Sequence, residues 1–303
     1  MPKSSMKTIK RRIKSVGSTL QITKAMEMVA SAKLRYAKVR AEALRPYFEA
    51  HAELLRDIAS QKADFSTVFT AKREVKNRLF IVIEGDRGLA GGYNSNITRL
   101  VGEYADKFDN PENRPKIIAI GKKAVDYFKK RGWDVIGEYP YFSEDAKASR
   151  CADIANMVTD LFKSGEVDEV RVFYTAFISA LRQDATQIKL LPFDTEKKLK
   201  MNPEQDDTES ALSAKKSRVS VHYDPSPEAV FDRIIPKMFL SMISCACIDS
   251  YASEQSARRN AMENASDNAA EMIEKLSLQY NRARQEKITN EINEIVGGAN
   301  AIS

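Results

Sequence analysis

Two stretches at the ends of this chain read as helices far longer than a globular fold needs, and they constrain everything between them. From about Ser4 to about Ser60 the apolar positions Ile9, Ile13, Val16 and Leu20 step by 4, 3 and 4, the spacing of a heptad seam. The stripe then predicts a slip onto Ile22, Met26 and Val29, as a drifting seam would show. Ala25, Ala30, Ala32, Ala37, Ala41 and Ala43 would let a second helix approach closely, and Pro46 predicts a kink. The second tract starts at Asp224-Pro225-Ser226-Pro227, with Glu228 in the first turn, and runs to the end. Met238, Met242, Cys245, Ile248 and Ala252 step by 4, 3, 3 and 4, with Pro236 predicting a kink near the start. Helix formers continue through Leu276, Tyr280 and Ala283. The last turns carry Ile288, Ile292, Ile295, Ala299 and Ile302, stepping by 4, 3, 4 and 3. Gly297 and Gly298 cost about 1 kcal/mol each inside a helix and predict fraying unless something clamps them.

At 1.5 Å per residue, ~55 residues make a helix of roughly 80 Å and ~75 residues one of roughly 110 Å. Helices of this length persist in water only by burying a face. The economical arrangement pairs the two ends as an antiparallel coiled coil, with the middle of the chain inserted at one end. The length difference leaves roughly 30 Å of C-terminal helix without an internal partner. That segment bears Ile288, Ile292, Ile295 and Ile302. Each isoleucine is worth about 1.5–3 kcal/mol when buried, so the stripe predicts a hydrophobic socket in another protein.

The middle alternates between strand and helix. RLFIVIEG (Arg78 to Gly85), KIIAIG (Lys116 to Gly121), Trp133 to Gly137, Asp168 to Ala176 and Ala185 to Leu191 read as strands. Helices are expected after Gly121 through Lys130 and from Ala146 to Lys163. This pattern is that of a Rossmann-like α/β layer. The fold class expected is therefore α/β: a long antiparallel coiled coil of N- and C-terminal helices carrying an inserted α/β domain. The expected divisions are 1–60 for the first helix, 75–223 for the α/β domain and 224–303 for the second helix. Thr195 to Ser217 is polar without apolar period and reads as a surface loop, with Arg218 to Tyr223 alternating like a last strand.

Charge is spread unevenly. The first 45 residues hold twelve Lys/Arg against Glu27 and Glu42, a net +10, which leaves −4 for the rest of a chain of net +6. A basic arm on a mildly acidic body implies an acidic partner: phosphate, lipid headgroups or a carboxylate-rich protein surface. Three cysteines (Cys151, Cys245, Cys247) cannot make a disulfide framework and fit a reducing compartment. His51 and His222 are far apart, so no metal-ligand cluster is expected. Nothing approaches ~20 consecutive apolar residues, so no membrane span is expected. The basic N-terminus lacks the apolar core of a secretory signal, and its pattern runs unbroken into the helix, so it reads as structure.

GDRGLAGGYN (Gly85 to Asn94) follows a strand and precedes a helix, where phosphate loops occur. It lacks the Gly-Lys-Ser/Thr of a Walker loop and the GxGxxG spacing, so a tight turn is the plainer reading. No Ser-His-Asp or Cys-His arrangement can be assembled, and no cofactor is expected. Two other classes stay open on residues alone. One is a Rossmann nucleotide-binding enzyme with helical dimerisation arms. The other is a basic coiled-coil nucleic-acid binder, for which Tyr36, Tyr47 and Phe48 supply only thin aromatic interleaving.

KRRIKSVGSTLQITKAMEMVASAKLR (Lys10 to Arg35) resembles the N-terminal helix of the gamma subunit of F-type ATP synthases. GDRGLAGGYN resembles that family's glycine turn, and Ser256 to Ala301 its C-terminal helix. The matches occur in the family's order across essentially the whole chain. The resemblance implies a non-catalytic central rotor shaft inside a ring of three alpha and three beta subunits, with the C-terminal tip in an apolar sleeve. It implies an α/β domain resting with the epsilon subunit on the membrane c-ring, so that proton flow turns the shaft and drives the beta subunits through different nucleotide affinities. Met26 matches a position facing the beta subunit's acidic catch region. Arg284 and Gln285 match positions that hydrogen-bond the catch loops, with Thr289 and Glu291 their neighbours. Lys24, Lys33 and Arg35 are further candidates. The implied partners exclude nucleic acid. The implied location is peripheral, on the cytoplasmic face of a bacterial membrane or else the matrix side of the mitochondrial inner membrane. Ala90 stands where the family's turn usually has cysteine, and the 195–217 loop has no cysteine, so the redox switch of chloroplast versions is not expected.

Overall fold

The computed structural model describes residues 6–61, 65–107, 114–142, 148–195 and 222–302, with side chains through 296. The elements run α1 (Met6–Ser60), β1 (Arg78–Ile83), α2 (Tyr93–Ala105), β2 (Lys116–Ile120), α3 (Lys122–Lys130), β3 (Val135–Tyr139), α4 (Ala148–Lys163), β4 (Glu169–Phe177), β5 (Gln183–Leu191) and α5 (Pro227–Ile302). Two compact units divide the chain, one of residues 1–31 with 258–303 and one of residues 32–257.

In the larger unit the five strands form one sheet in the order β3-β2-β1-β4-β5. β1 pairs in parallel with β2 and β4, β2 in parallel with β3, and β4 antiparallel with the edge strand β5. The central strands are apolar on both faces, as strands covered on both sides must be. Leu79, Ile81 and Ile83 of β1 join Ile118 and Ile120 of β2 and Val172 and Tyr174 of β4 in one core. That core is closed by α4, by Phe48, Leu55 and Ile58 of α1, and by Phe231, Met238, Phe239 and Met242 of α5. The alternate residues Phe80, Val82, Ile117, Ala119 and Phe173 face a second, smaller core under α2 and α3. The period of two thus sorts each strand between two layers of helix.

β4 outruns β1, whose register with it ends at Val82 opposite Phe173. Serines of α5 serve the overhang. The Thr175 N–H donates to Ser250 Oγ (3.1 Å), Ser253 Oγ donates to the Thr175 carbonyl (3.1 Å), and Ser256 Oγ donates to the Ala180 carbonyl (2.8 Å). Backbone groups that a sheet leaves open inside a core need such partners. At the start of α5, Ser226 Oγ accepts the Ala229 N–H at 3.2 Å, an N-cap that the sequence marks.

α1 and α5 meet along a seam of period 3.5. In the smaller unit Met6, Ile9, Ile13, Val16, Leu20, Thr23, Glu27 and Ala30 are the inward positions of α1, stepping by 3 and 4 throughout. From α5 come Met262, Ser266, Ala269, Ile273, Leu276, Tyr280 and Ala283, with the same steps. Thr23 touches Ser266 in this unit, and in the larger unit Leu34 and Ala37 pack with Tyr251 and Ala252.

The expected slip of the α1 stripe does not occur. The seam keeps its phase through the polar Thr23, and Ile22 and Val29 lie exposed instead. Small and hydroxylated residues can occupy a seam position where helices approach closely, which an apolar-only pattern misses. Both prolines sit within continuous helix assignments, Pro46 in α1 and Pro236 in α5, and α5 remains helical through Gly297 and Gly298 to Ile302. β3 and β4 begin later than expected and β5 earlier. Cys245 and Cys247 are both buried. Of the expected loop and last strand, residues 196–221 lie outside the described residues.

Candidate functional site

Beyond Ala283 the seam of α5 ends and every described side chain, Arg284 to Val296, is exposed. Continuing the seam's steps would reach Lys287, Asn290 and Glu294, none of them apolar. The isoleucines fall later, Ile288 and Ile295 by one residue and Ile292 by two. One residue is roughly 100° around a helix, so this row faces elsewhere than the helix's own partner seam. All three are about half exposed or more, Ile295 reaching 71%. Ile302 lies outside the residues whose side chains are described.

The polar positions singled out in the sequence sit on the same segment. Gln285 and Thr289 line a shallow groove of about 380 Å³ with Arg282, Glu286 and Asn290. Arg284 and Glu291 are not among its lining residues. Glu291 instead pairs with Lys287 at 3.3 Å. In α1 of the same unit Met26 is half-buried at the edge of the seam, while Ile22, Met28 and Val29 are exposed. Lys24 is exposed beside them. Sequence reasoning placed Ile22 and Val29 in the seam and so missed an outward apolar row, although their seven-residue separation is itself a signal. In the larger unit Lys33 is half-buried and Arg35 exposed.

The glycine turn is held by its own side chains. Asp86 Oδ1 accepts the N–H groups of Lys122 (2.8 Å) and Tyr141 (2.7 Å), and Asn94 Oδ1 accepts that of Gly85 (2.9 Å). Gly121, which follows β2 beside the turn, adopts φ +94, and a Cβ there would stand 2.1 Å from the Glu84 carbonyl oxygen, so that position requires glycine. The turn lies at the C-terminal end of β1, between the β2 and β4 branches of the sheet, where an open α/β sheet takes a phosphate. Here the carboxylate of Glu254, from α5, lies 2.8 Å from where a Cβ on Gly85 would be. A buried acid against the turn opposes a phosphate both by volume and by charge. Glu84 adds a second buried carboxyl, whose pKa burial raises to about 8, partly offset by Lys123. Burial, with the nearby Glu254 and Glu84, likewise raises the Tyr93 hydroxyl well above its ordinary value. Among the described residues no group of three or more His, Cys, Asp or Glu is arranged to hold a metal ion, and no helix is long and apolar enough to cross a membrane.

These features define the class: a coiled-coil protein with an inserted α/β layer, whose helices carry apolar rows outside their mutual seam. The ATP synthase family model matches residues 5–302. An ATP synthase gamma chain of Ruminococcus albus is 48% identical over 292 residues, 96% of each chain, and a sodium ion specific gamma chain of Acetobacterium woodii is 43% identical over 99% of each. The fold is similar to chains of the Euglena gracilis mitochondrial ATP synthase (TM-score 0.65, 20% identity, 98% of this chain and 94% of that one) and of the Tetrahymena thermophila enzyme's central stalk and c-ring (TM-score 0.60, 24% identity, 81% and 99%). The chain belongs to the ATP synthase gamma-chain family.

Proposed function

We propose that this chain is the central rotor shaft of an F-type ATP synthase, turning inside a ring of alpha and beta subunits and contributing no catalytic site. The observation that carries the reading is the phase break on α5. A row of isoleucines out of phase with the intramolecular seam calls for a socket in another chain. Family membership supports ring subunits as that socket, with epsilon and the c-ring as the partners of the α/β layer. The shaft's surface differs around its axis: Ile288, Ile292 and Ile295 form an apolar stripe bordered by Arg284 and Glu291 on one side and by Gln285 and Thr289 on the other. A rotating asymmetric surface gives each beta subunit a different contact free energy in turn, and such a differential is what moves a conformational equilibrium. Ion flow through the c-ring supplies the torque, and attachment to the membrane is peripheral, through those partners. The acid-filled turn at Gly85 supports a structural role there in place of nucleotide binding.

Reconstitution with alpha and beta subunits tests the reading. Met26→Lys, and Arg284→Ala with Gln285→Ala, are expected to leave an assembled complex whose ATP hydrolysis is uncoupled from rotation. Full coupling in both variants would remove these residues from the contact, and failure of the wild-type chain to assemble with the ring would remove the rotor reading itself.

A further inference from the structure

The loop from β4 to β5, residues 178–182, carries Leu181, which at 85% is the most exposed large apolar side chain among the described residues. A lone exposed leucine is ordinary. The loop that presents this one is not, because hydrogen bonds fix its backbone on both sides. The Ser179 N–H donates to the Arg182 carbonyl (2.9 Å), and the Ser179 hydroxyl accepts the N–H groups of Leu181 (3.3 Å) and Arg182 (3.0 Å). Gln183 Nε2 donates to the carbonyls of Ser179 (3.0 Å) and Ala180 (3.1 Å). The fully buried Ser256 of α5 donates to the Ala180 carbonyl, and Arg182 pairs with Asp184 at 2.7 Å. The backbone is thus set before anything docks, while the leucine side chain stands in solvent. An apolar side chain on a preformed support loses little freedom on binding, which is how an anchor residue gains affinity.

The place of the loop points to its partner. β5 runs from the loop to Leu191, and just beyond it Phe193 packs on Phe231, near the start of α5 (ring centroids 5.7 Å). α5 then crosses the larger unit and reaches the loop at Ser256, two residues before it enters the smaller unit at Arg258. Met26, Ile288, Ile292 and Ile295, the residues given to the ring, all belong to the smaller unit. The loop therefore stands where the shaft helix leaves the α/β layer, at the other end of the larger unit from the start of α5. We propose that Leu181 is an apolar anchor of the larger unit on the ring of alpha and beta subunits, seated in turn in an apolar pocket that each passing subunit presents. The inference rests on the rotor reading and extends its contact surface from the two helices to the α/β layer. A polar residue at this tip would keep the same loop bonds, so the leucine contributes only to a partner.

Photo-cross-linking in the assembled complex tests the anchor. The photoreactive residue p-benzoylphenylalanine replaces Leu181 in one full-length chain and Ile292 in another. Each chain is assembled with alpha, beta and epsilon subunits, irradiated, digested and mapped by mass spectrometry. Both positions are expected to give adducts with alpha or beta peptides. ATP hydrolysis by the complex substituted at 181 is expected to fall in proportion to the fraction cross-linked, because a covalent anchor stops rotation. Adducts with the ring at 292 but none at 181 would overturn the anchor and leave the rotor reading standing. So would adducts at 181 confined to epsilon or to the chain itself. Absence of ring adducts at both positions would remove the rotor reading, and the anchor with it. The free chain substituted at 181 is expected to melt at the wild-type temperature, since Leu181 is exposed. A marked fall would place Leu181 in the chain's own packing and also overturn the proposal.

Discussion

The hydroxyls of Thr23 and Ser266 stand 2.7 Å apart, buried, in the middle of the seam between α1 and α5. Ser266 Oγ donates to Thr23 Oγ1, which donates in turn to the Leu20 carbonyl at 3.1 Å, so the pair holds only in one register. Removing the Thr23 hydroxyl strands that of Ser266 and is expected to cost about 1–3 kcal/mol, while replacing both by apolar groups of similar shape costs much less. Thr23→Val alone should therefore lower the urea midpoint, and the double variant with Ser266→Ala should recover most of the loss. Additive losses in the double variant would show that the hydroxyls do not act as a pair.

Gly121, the N-cap of α3, packs against the backbone where Gly85 opens the glycine turn, and the two should respond differently to alanine. At Gly121 the new Cβ meets backbone, 2.1 Å from the Glu84 carbonyl oxygen, at a φ of +94. Nothing there can swing away, so loss of several kcal/mol is expected, on the order of 3 or more. At Gly85 the clash is with the end of the Glu254 side chain at 2.8 Å, which can rotate. Gly85→Ala should thus cost less than Gly121→Ala in thermal unfolding; the reverse order would mean that Glu254 is fixed.

Much of this architecture is legible in residue spacing. Ile9, Ile13, Val16 and Leu20 announce a seam, Leu276, Tyr280 and Ala283 its partner, and RLFIVI a doubly covered strand. The reading fails where a seam position is polar: at Thr23 the eye moves to Ile22 and Val29, which turn out to face solvent. It also fails for contacts between distant residues. Nothing in the local pattern around Gly85 signals that Glu254 fills the space beside it, that Ser250 and Ser253 complete the backbone of β4, or that Ser256 serves the loop after it. Hydroxyls on a helix read as surface until the strand they serve is known.

Glu84 makes stability depend on pH in an unusual direction for a carboxylate. Its pKa rises from 4.5 to about 8 on folding because burial disfavours the charge. The stability contribution is full below the unfolded value and is lost as pH rises through the folded one. At about 1.4 kcal/mol per pH unit, ionisation removes on the order of 4 kcal/mol by pH 8 and above. Asp249, raised to about 6, acts similarly over a lower window, so the comparison must be with a Glu84 variant. Glu84→Gln should flatten the fall in urea midpoint between pH 6 and 9 and exceed wild type at pH 9. Equal slopes in the two proteins would mean that Glu84 is ionised in the fold.

The row Ile288, Ile292 and Ile295 separates stability from assembly. These side chains are exposed and lie off the seam, so serine at all three should change the unfolding free energy of the isolated chain by no more than about 0.5 kcal/mol each. Leu276 is the contrast. It is buried in the seam, and Leu276→Ala should cost about 2–5 kcal/mol. In reconstitution with ring subunits the ranking should invert. The triple serine variant loses the roughly 1.5–3 kcal/mol per isoleucine that a socket would recover, and so should fail to stay engaged. Leu276→Ala, once folded, should still dock. Differential scanning calorimetry of the free chains beside a pull-down on alpha and beta subunits reads both scales. If the serine variant both melted early and docked normally, the isoleucine row would belong to the chain's own core and no external socket would be needed.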